Sequence, residues 1–153
     1  MSSPAESTTA SAQHPSTAPD AGGGTRRRIL LRASGPLGAA AAALVLWVLA
    51  VPVAGIDVAG FTGATVGPVG PGAIAASALV AGLAGWALLA VLERLMRRPG
   101  PVWTSVAVAV LLVSLAGPVV SAADTASMYV LLAMHVVVGA VVIPVLAPTA
   151  RRR

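Results

Sequence analysis

The sequence predicts an all-α protein: an integral membrane bundle of four transmembrane helices, preceded by a disordered N-terminal tail. Of the 153 residues, 57% are hydrophobic and only 10% are charged. A soluble domain has about a quarter charged residues, and one with so few would expose apolar patches that aggregate. The hydrophobic residues also fall into four long apolar segments, separated by short stretches that carry charges, glycine or proline.

The tail and the four spans follow from length and composition. Residues 1–25 are rich in Ser, Thr, Ala, Pro and Gly, and they bury too little apolar surface to offset the entropy of ordering. Residues 26–153 form the membrane domain, in which about 18 to 20 residues of helix are enough to cross the hydrocarbon layer. The spans are expected at about 36–53, 73–92, 102–120 and 128–147.

Two local features qualify the spans. The arginines before the first span are similar to a twin-arginine export signal, but three further spans follow and the small-residue cleavage site is poor, so an uncleaved first helix is favoured. In the third span, Pro118 follows Gly117, which predicts a kink or an early end to that helix.

The distribution of arginine predicts the orientation. All ten basic residues are Arg, and they precede the first span, occupy the central loop over 93–101 or close the chain. The other two loops carry only Asp57 and Asp124. Because Arg and Lys concentrate in cytoplasmic loops, we expect a bacterial inner-membrane protein with both termini in the cytoplasm. The expected topology anchors are Arg26, Arg27, Arg28, Arg94, Arg97, Arg98, Arg151, Arg152 and Arg153.

The loops and aromatic residues give four smaller expectations. The segment Gly55 to Gly72 is punctuated by Gly and Pro, which predicts a long irregular loop that lies on the membrane surface through its apolar side chains. Glu93 is expected to pair with Arg97, four residues later. Trp103 and Tyr129 are expected in the interfacial aromatic belt, whereas Trp47 and Trp86 are expected to pack against neighbouring helices.

A stripe of small residues predicts close helix packing. Ser77, Ala81 and Gly85 recur at four-residue spacing on the second helix, and such stripes let helix backbones approach one another in lipid. Two interpretations stay open. The stripe serves packing within the bundle, or it forms a face through which two copies of the chain associate.

His135 is the ionisable residue placed well inside a predicted span. Such a residue is a candidate functional group by default, although a neutral, hydrogen-bonded structural role is favoured here. Ser114, at similar depth on the third span, is the candidate hydrogen-bond partner.

Several chemistries lack support in the sequence. Without cysteine there are no disulfides and no thiolate ligands. Neither a phosphate-binding glycine loop, a catalytic triad nor paired carboxylates are present, so an enzyme is not predicted and no cofactor or metal is expected. Aromatic residues are too few for single-stranded nucleic acid. The expected partners are the lipid bilayer and, as a possibility, a second copy or another membrane protein.

A series of short motifs runs through residues 26–147. They are Val53-Ala54-Gly55-Ile56-Asp57-Val58, Val66-Gly67-Pro68, Val69-Gly70-Pro71-Gly72, Ala81-Gly82-Leu83-Ala84-Gly85-Trp86-Ala87-Leu88-Leu89, Leu92-Glu93-Arg94, Val102-Trp103, Ser114-Leu115-Ala116-Gly117-Pro118 and Met134-His135. In these motifs and their order, the region resembles a family of four-helix membrane proteins of high-GC actinobacteria, the domain of unknown function sixty sixty-nine. The resemblance implies a bacterial integral membrane protein and no known activity, cofactor or catalytic residue.

The function expected from the sequence is that of a non-enzymatic membrane component or interaction protein. The alternative is a small oligomeric transporter or channel that uses a polar path near His135. A membrane enzyme acting on lipid is a third interpretation, for which the loop around Asp57 offers the only start.

Overall fold

The computed structural model describes residues 21–150, and most of these residues are helical. The predicted tail over 1–20 and the anchors Arg151, Arg152 and Arg153 lie outside the described residues. The elements, in chain order, are α1 (Ala21–Val48), a π-helical turn (Leu49–Val53), β1 (Ala59–Thr62), β2 (Thr65–Pro68), α2 (Pro71–Leu95), α3 (Pro99–Ser114), α4 (Ala116–Ser121), α5 (Thr125–Leu146) and a 3₁₀ turn (Ala147–Thr149).

Four helical segments are long and apolar enough to cross a membrane, and each contains one of the four predicted spans. They are Gly24–Val53, Pro71–Leu95, Pro99–Ser121 and Thr125–Thr149. The prediction of a four-span α-helical membrane protein is therefore confirmed. The first helix begins earlier than expected, because residues 21–25, assigned to the tail from composition, are already helical.

Proline explains where the helices are interrupted. A helical proline lacks the N–H that would bond the carbonyl four residues earlier, and its ring crowds that carbonyl. For Pro118 that carbonyl belongs to Ser114, the residue at which α3 ends before α4 begins. Of the expected kink or early end in the third span, the structure thus shows the early end of α3. Pro52 lies in the π-helical turn, where the Ala54 N–H donates to the Leu49 carbonyl at 3.0 Å.

The segment between α1 and α2 is a β-hairpin, not the irregular surface loop that was expected. β1 and β2 pair antiparallel from Ala59↔Pro68 to Thr62↔Thr65. The two-residue turn places Gly63 at a φ of 65°, a conformation that glycine adopts without steric cost. Val58, expected to contact the membrane surface, is buried, whereas Phe61 and Val66 are exposed. The hairpin also contacts the α4–α5 connection, where the Ala123 N–H donates to the Ala59 carbonyl at 3.1 Å.

The core lies mainly where α1 packs between α2 and α5. The closest helix contact is at Gly82 of α2, where an added Cβ would lie 2.7 Å from the Cα of Pro36 on α1. On the other flank, a Cβ at Gly35 would lie 3.5 Å from the Leu146 side chain of α5. Gly82 therefore sets the spacing between α1 and α2, whereas an added methyl at Gly35 would make only ordinary contact with α5.

The tryptophans pack inside the protein, including the one that was expected in the interfacial belt. Trp103 is 0% exposed, and its indole Nε1–H donates to the Gly85 carbonyl at 2.8 Å. The belt prediction for Trp103 is therefore wrong, because its ring fills the space between α2, α3 and α5. Tyr129 is exposed, as a belt residue would be. Trp47 donates to the Val69 carbonyl at 3.0 Å, and Trp86 packs against the core.

Candidate functional site

A groove of about 520 Å³ lies between α2, α3 and α5. Its lining runs from Ala73 to Leu88 on α2, from Trp103 to Ser114 on α3 and from Leu131 to Ile143 on α5. The α2 residues Ser77, Ala81 and Ala84 are exposed along it. We call it the α2–α3–α5 groove, and we call the two ends of the bundle the hairpin end, where β1 and β2 lie, and the arginine end.

The groove exists because α3 packs loosely. The Leu111 side chain of α3 packs onto Gly139 of α5, where an added Cβ would lie 2.6 Å from Cδ2 of Leu111. Towards the arginine end, Trp103 fills the space between α2 and α3. Elsewhere α3 presents large apolar side chains outward, such as Leu112 and Val113, which are 63% and 75% exposed. Such exposure is suited to lipid and not to water.

All five candidate residues from the sequence line this one groove: Ser77, Ala81, Gly85, Ser114 and His135. The expected hydrogen bond between His135 and Ser114 is not formed. His135 Nδ1 lies 2.8 Å from the carbonyl oxygen of Leu131, and Ser114 Oγ donates to the carbonyl of Leu111 at 2.7 Å. Each side chain therefore bonds to its own helix, because a helix offers a carbonyl within reach of a polar side chain one turn later.

The small-residue stripe on α2 divides between two roles. Gly82 and Ala78, which lie beside the predicted stripe, are buried and make the close contact with α1. Ser77 and Ala81 are exposed in the groove. Gly85 accepts the Trp103 hydrogen bond. Tight packing within the bundle thus uses the neighbouring positions, and association of two copies through Ser77 and Ala81 stays a prediction.

The polar groups of the groove are concentrated towards the hairpin end. At 1.5 Å per residue, Ser77 lies about 9 Å along α2 from its start, His135 about 15 Å along α5 from its start, and Ser114 about 10 Å from the end of α4. Towards the arginine end the lining is apolar apart from the Trp103 indole, whose N–H is already bonded. The groove is therefore amphipathic along its length.

A buried charged cluster, which the sequence analysis missed, closes the arginine end. Arg32 of α1 is 7% exposed and makes a bidentate ion pair with Glu93 of α2, with Nη2 2.6 Å from Oε1 and Nη1 3.1 Å from Oε2. Its Nε donates to Thr149 Oγ1 at 3.1 Å, and its Nη2 donates to the Thr149 carbonyl at 2.7 Å. This Arg32 cluster joins α1, α2 and the turn that follows α5.

The expected pair of Glu93 with Arg97 is replaced by this cluster. Helical i, i+4 geometry is required for such a pair, but α2 ends at Leu95, before Arg97. The useful sequence signal was Arg32 itself. It stands four residues beyond the Arg26–Arg28 run and inside the helical segment, where a charge needs a partner.

The other arginines differ from Arg32 in exposure. Arg26, Arg27, Arg94, Arg97 and Arg98 are exposed, and Arg28 is half-buried. Because Arg32 contacts Glu93, the start of α1 and the end of α2 lie at the same end of the bundle. The described topology anchors therefore share that end.

At the hairpin end, a hydrogen-bonded cluster that includes the Asp124 carboxylate surrounds Ser127 of α5. Asp124 caps α5 by accepting the Ser127 N–H at 2.9 Å, and this bond, with help from the Ser127 hydroxyl, lowers the pKa of the Asp124 carboxyl. Ser127 is 0% exposed, and its Oγ accepts the Ala59 N–H at 3.0 Å. The hydroxyl also lies 3.2 Å from the Asp57 carbonyl. These bonds attach the hairpin to α5.

Comparison with known proteins supplies a family. No curated protein and no solved structure matches the chain. The model of a family of unknown function, DUF6069, matches residues 23–152, which include all four spans and every side chain of the groove. The chain belongs to the DUF6069 family, a family of unknown function.

Proposed function

We propose that the protein is a non-enzymatic membrane component that binds an apolar molecule of the bilayer in the α2–α3–α5 groove. The groove itself carries the proposal. Its volume of about 520 Å³ lies within the ~300–1,000 Å³ typical of small-molecule sites. Such sites are mostly apolar and have a few polar groups that orient the ligand, and the groove has this composition.

The polar groups of the groove favour binding over catalysis. General acid–base or nucleophilic catalysis needs a reactive group within hydrogen-bond reach of a second one. His135 bonds to a backbone carbonyl instead, and the other polar side chains that line the groove are two serines and the hydrogen-bonded Trp103 indole. The acidic residues Asp57, Glu93 and Asp124 belong to the two ends of the bundle.

A groove-filling substitution tests this proposal. Ala81→Phe places a ring in the groove, and Ala87→Phe places the same ring on an exposed position of α2 outside it. Native mass spectrometry of the protein extracted in mild detergent should show co-purifying apolar molecules with the wild-type chain and with Ala87→Phe, and strongly reduced binding with Ala81→Phe. Equal retention by all three chains, or no bound molecule on any, would contradict the proposal.

A small oligomeric transporter or channel is the second candidate. It is favoured by one observation, that Ser77, Ser114 and His135 line a single cavity. The apolar lining near the arginine end weighs against a continuous polar path. Proton or solute flux in proteoliposomes that is abolished by His135→Leu in a folded protein would favour this candidate over the binding protein.

The proposed location is the bacterial inner membrane, with the arginine end in the cytoplasm. Support comes from the exposed arginines at that end and from the acidic residues Asp57 and Asp124 at the other. Because the chain has no cysteine, single-cysteine variants report topology directly. A membrane-impermeant maleimide should label Ala64→Cys, in the hairpin turn, in intact cells and should label Arg97→Cys only after lysis. The reverse pattern would overturn this orientation.

A further inference from the structure

The shape of the α2–α3–α5 groove limits what can occupy it. From Ala73 to Leu88 the lining of α2 extends for about 22 Å of helix. The groove is elongated, with a volume of about 520 Å³, and it is open along one side, where Ser77, Ala81 and Ala84 of α2 are exposed. An extended hydrocarbon chain can lie along this length and contact the apolar lining throughout.

The hydrogen bonds within the groove define the polar group of its occupant. A backbone carbonyl only accepts, so the 2.8 Å contact with Leu131 places the hydrogen of a neutral His135 on Nδ1. Nε2 is then an acceptor, and within the described residues it has no hydrogen-bond donor. The Ser114 hydroxyl has already donated its hydrogen to Leu111, so its oxygen also remains an acceptor. A ligand that donates a hydrogen bond would therefore find two acceptors in the groove.

The position of these acceptors orients the occupant. They lie about 10–15 Å from the hairpin end, and the lining beyond them, through Ala84, Leu88 and Ile143, is apolar to the arginine end. A molecule with its donor at the level of His135 and its hydrocarbon tail pointing to the arginine end satisfies both parts of the groove. A diacyl phospholipid does not, because its large headgroup would have to lie about 10–15 Å from the hairpin end, inside the span.

We propose that the ligand of the groove is a single-chain lipid with a hydroxyl group, and that this hydroxyl donates a hydrogen bond to Nε2 of His135. This inference rests on the proposed binding function and adds the chemical class of the ligand. It makes His135 a specificity-determining residue. An alcohol can donate a hydrogen bond to Nε2 of His135, whereas an ether of the same chain cannot.

Photolabelling with a matched pair of probes tests the inference. The first probe is 1-hexadecanol with a diazirine in its tail, and the second is the methyl ether of the same molecule, which lacks the donor. With the wild-type protein in nanodiscs, the alcohol should label α2 and α3 residues of the groove near Ala84 and Ala107 about threefold to tenfold more than the ether, the range expected for one net hydrogen bond. This comparison uses the unmodified protein, so it is independent of any folding defect.

Variants then assign the selectivity to His135. His135→Leu should remove the preference for the alcohol while the tail still labels the groove, and His135→Gln, which retains an acceptor, should restore part of it. A thermal unfolding profile of each variant verifies that it is folded. Preference for the alcohol that persists in folded His135→Leu would overturn the assignment.

The remaining outcomes separate this inference from the proposed function. Equal labelling of the groove by both probes, abolished by Ala81→Phe and kept in Ala87→Phe, would leave the binding function standing and overturn the hydroxyl preference. Labelling that avoids the groove, or that Ala81→Phe leaves unchanged, would overturn both. Crosslinks between two copies through the groove of a Ser77→Cys variant would also overturn both, since a second chain would then be the occupant.

Discussion

The two sides of the bundle are built in different ways. On the closed side, α1 lies against α2 and α5 with glycines at the contacts, and Arg32 bonds to Glu93 of α2 and to Thr149 in the turn that follows α5. On the open side, α3 contacts the bundle through Trp103 near one end and through Leu111 at Gly139, and the groove remains between them. The difference indicates that one side supplies stability and that the other supplies an adaptable surface, as is usual for binding sites that rest on a rigid framework.

The largest expected effect comes from the Arg32 cluster on the closed side. Glu93→Ala leaves the buried Arg32 guanidinium without its carboxylate, which should lower the free energy of unfolding by about 3–5 kcal/mol. Thermal or SDS-induced unfolding of the detergent-solubilised protein measures the loss. Arg94→Ala removes a charge from the next, exposed position and should change stability by less than about 0.5 kcal/mol. Equal effects of the two substitutions would show that the cluster contributes little.

A smaller loss is expected where α1 and α2 meet. In Gly82→Ala the new methyl would lie 2.7 Å from the Cα of Pro36. Because backbone must then move, overpacking should cost about 1–3 kcal/mol, measured by the same unfolding assay. Gly72→Ala is the matched control, since an added Cβ there meets nothing within 4 Å, and it should be neutral or stabilising by up to about 1 kcal/mol. A stable Gly82→Ala protein would mean that the helices separate at little cost.

The sequence was sufficient for the membrane fold because that fold depends on uninterrupted apolar length. Each predicted span lies inside an observed helix, and the break at Pro118 falls where the missing N–H requires it. The hairpin was missed because its strands are only four residues long and the turn signal, Gly63 with Ala64, was less conspicuous than the Gly-Pro steps around it. Composition also placed residues 21–25 in the tail, although they extend α1.

The candidate site was only partly predictable. The sequence indicates how deep a residue lies in the membrane and which face of its helix it occupies, but not which residue of another helix it pairs with. His135, Ser114 and Ser77 were selected individually, and the structure places them around one groove. Their hydrogen bonds depend on which carbonyl is nearest, and the groove depends on the rotation of α3. Arg32 and Glu93 are 61 positions apart, so no local spacing rule connects them. The local rule favoured Arg97 instead.

The comparison of the two sides is sharpened by repeating the glycine substitution on the open side. In Gly139→Ala the new methyl meets Cδ2 of Leu111 at 2.6 Å, but this is the tip of a flexible side chain that lines the groove. A change of rotamer should relieve the contact at a cost of less than about 1.5 kcal/mol. The unfolding assay should therefore rank Gly139→Ala as milder than Gly82→Ala. The reverse order would show that α3 is held as firmly as α1.

The smallest expected effect is at the hairpin end and depends on pH. The Ser127 N–H and hydroxyl lower the pKa of the Asp124 carboxyl below its ordinary value of 3.8. A group whose pKa is lowered by folding contributes stability that is complete above the ordinary value and is lost as the pH falls through the lowered one. Wild-type stability should therefore decline slightly below about pH 4. The decline should be reduced in Asp124→Asn, which still caps the helix without titrating.

Asp57→Asn provides the matched control for the acid-dependent loss. Ser127 contacts the backbone carbonyl of Asp57, and this carbonyl remains in the variant. Asp124 also remains, so the decline below about pH 4 should persist. If Asp57→Asn removed the decline and Asp124→Asn did not, the acid sensitivity would belong to the hairpin segment and not to the cap of α5. The hairpin end would then be held by an exposed carboxylate in the loop, and not by the cap that Asp124 forms on α5.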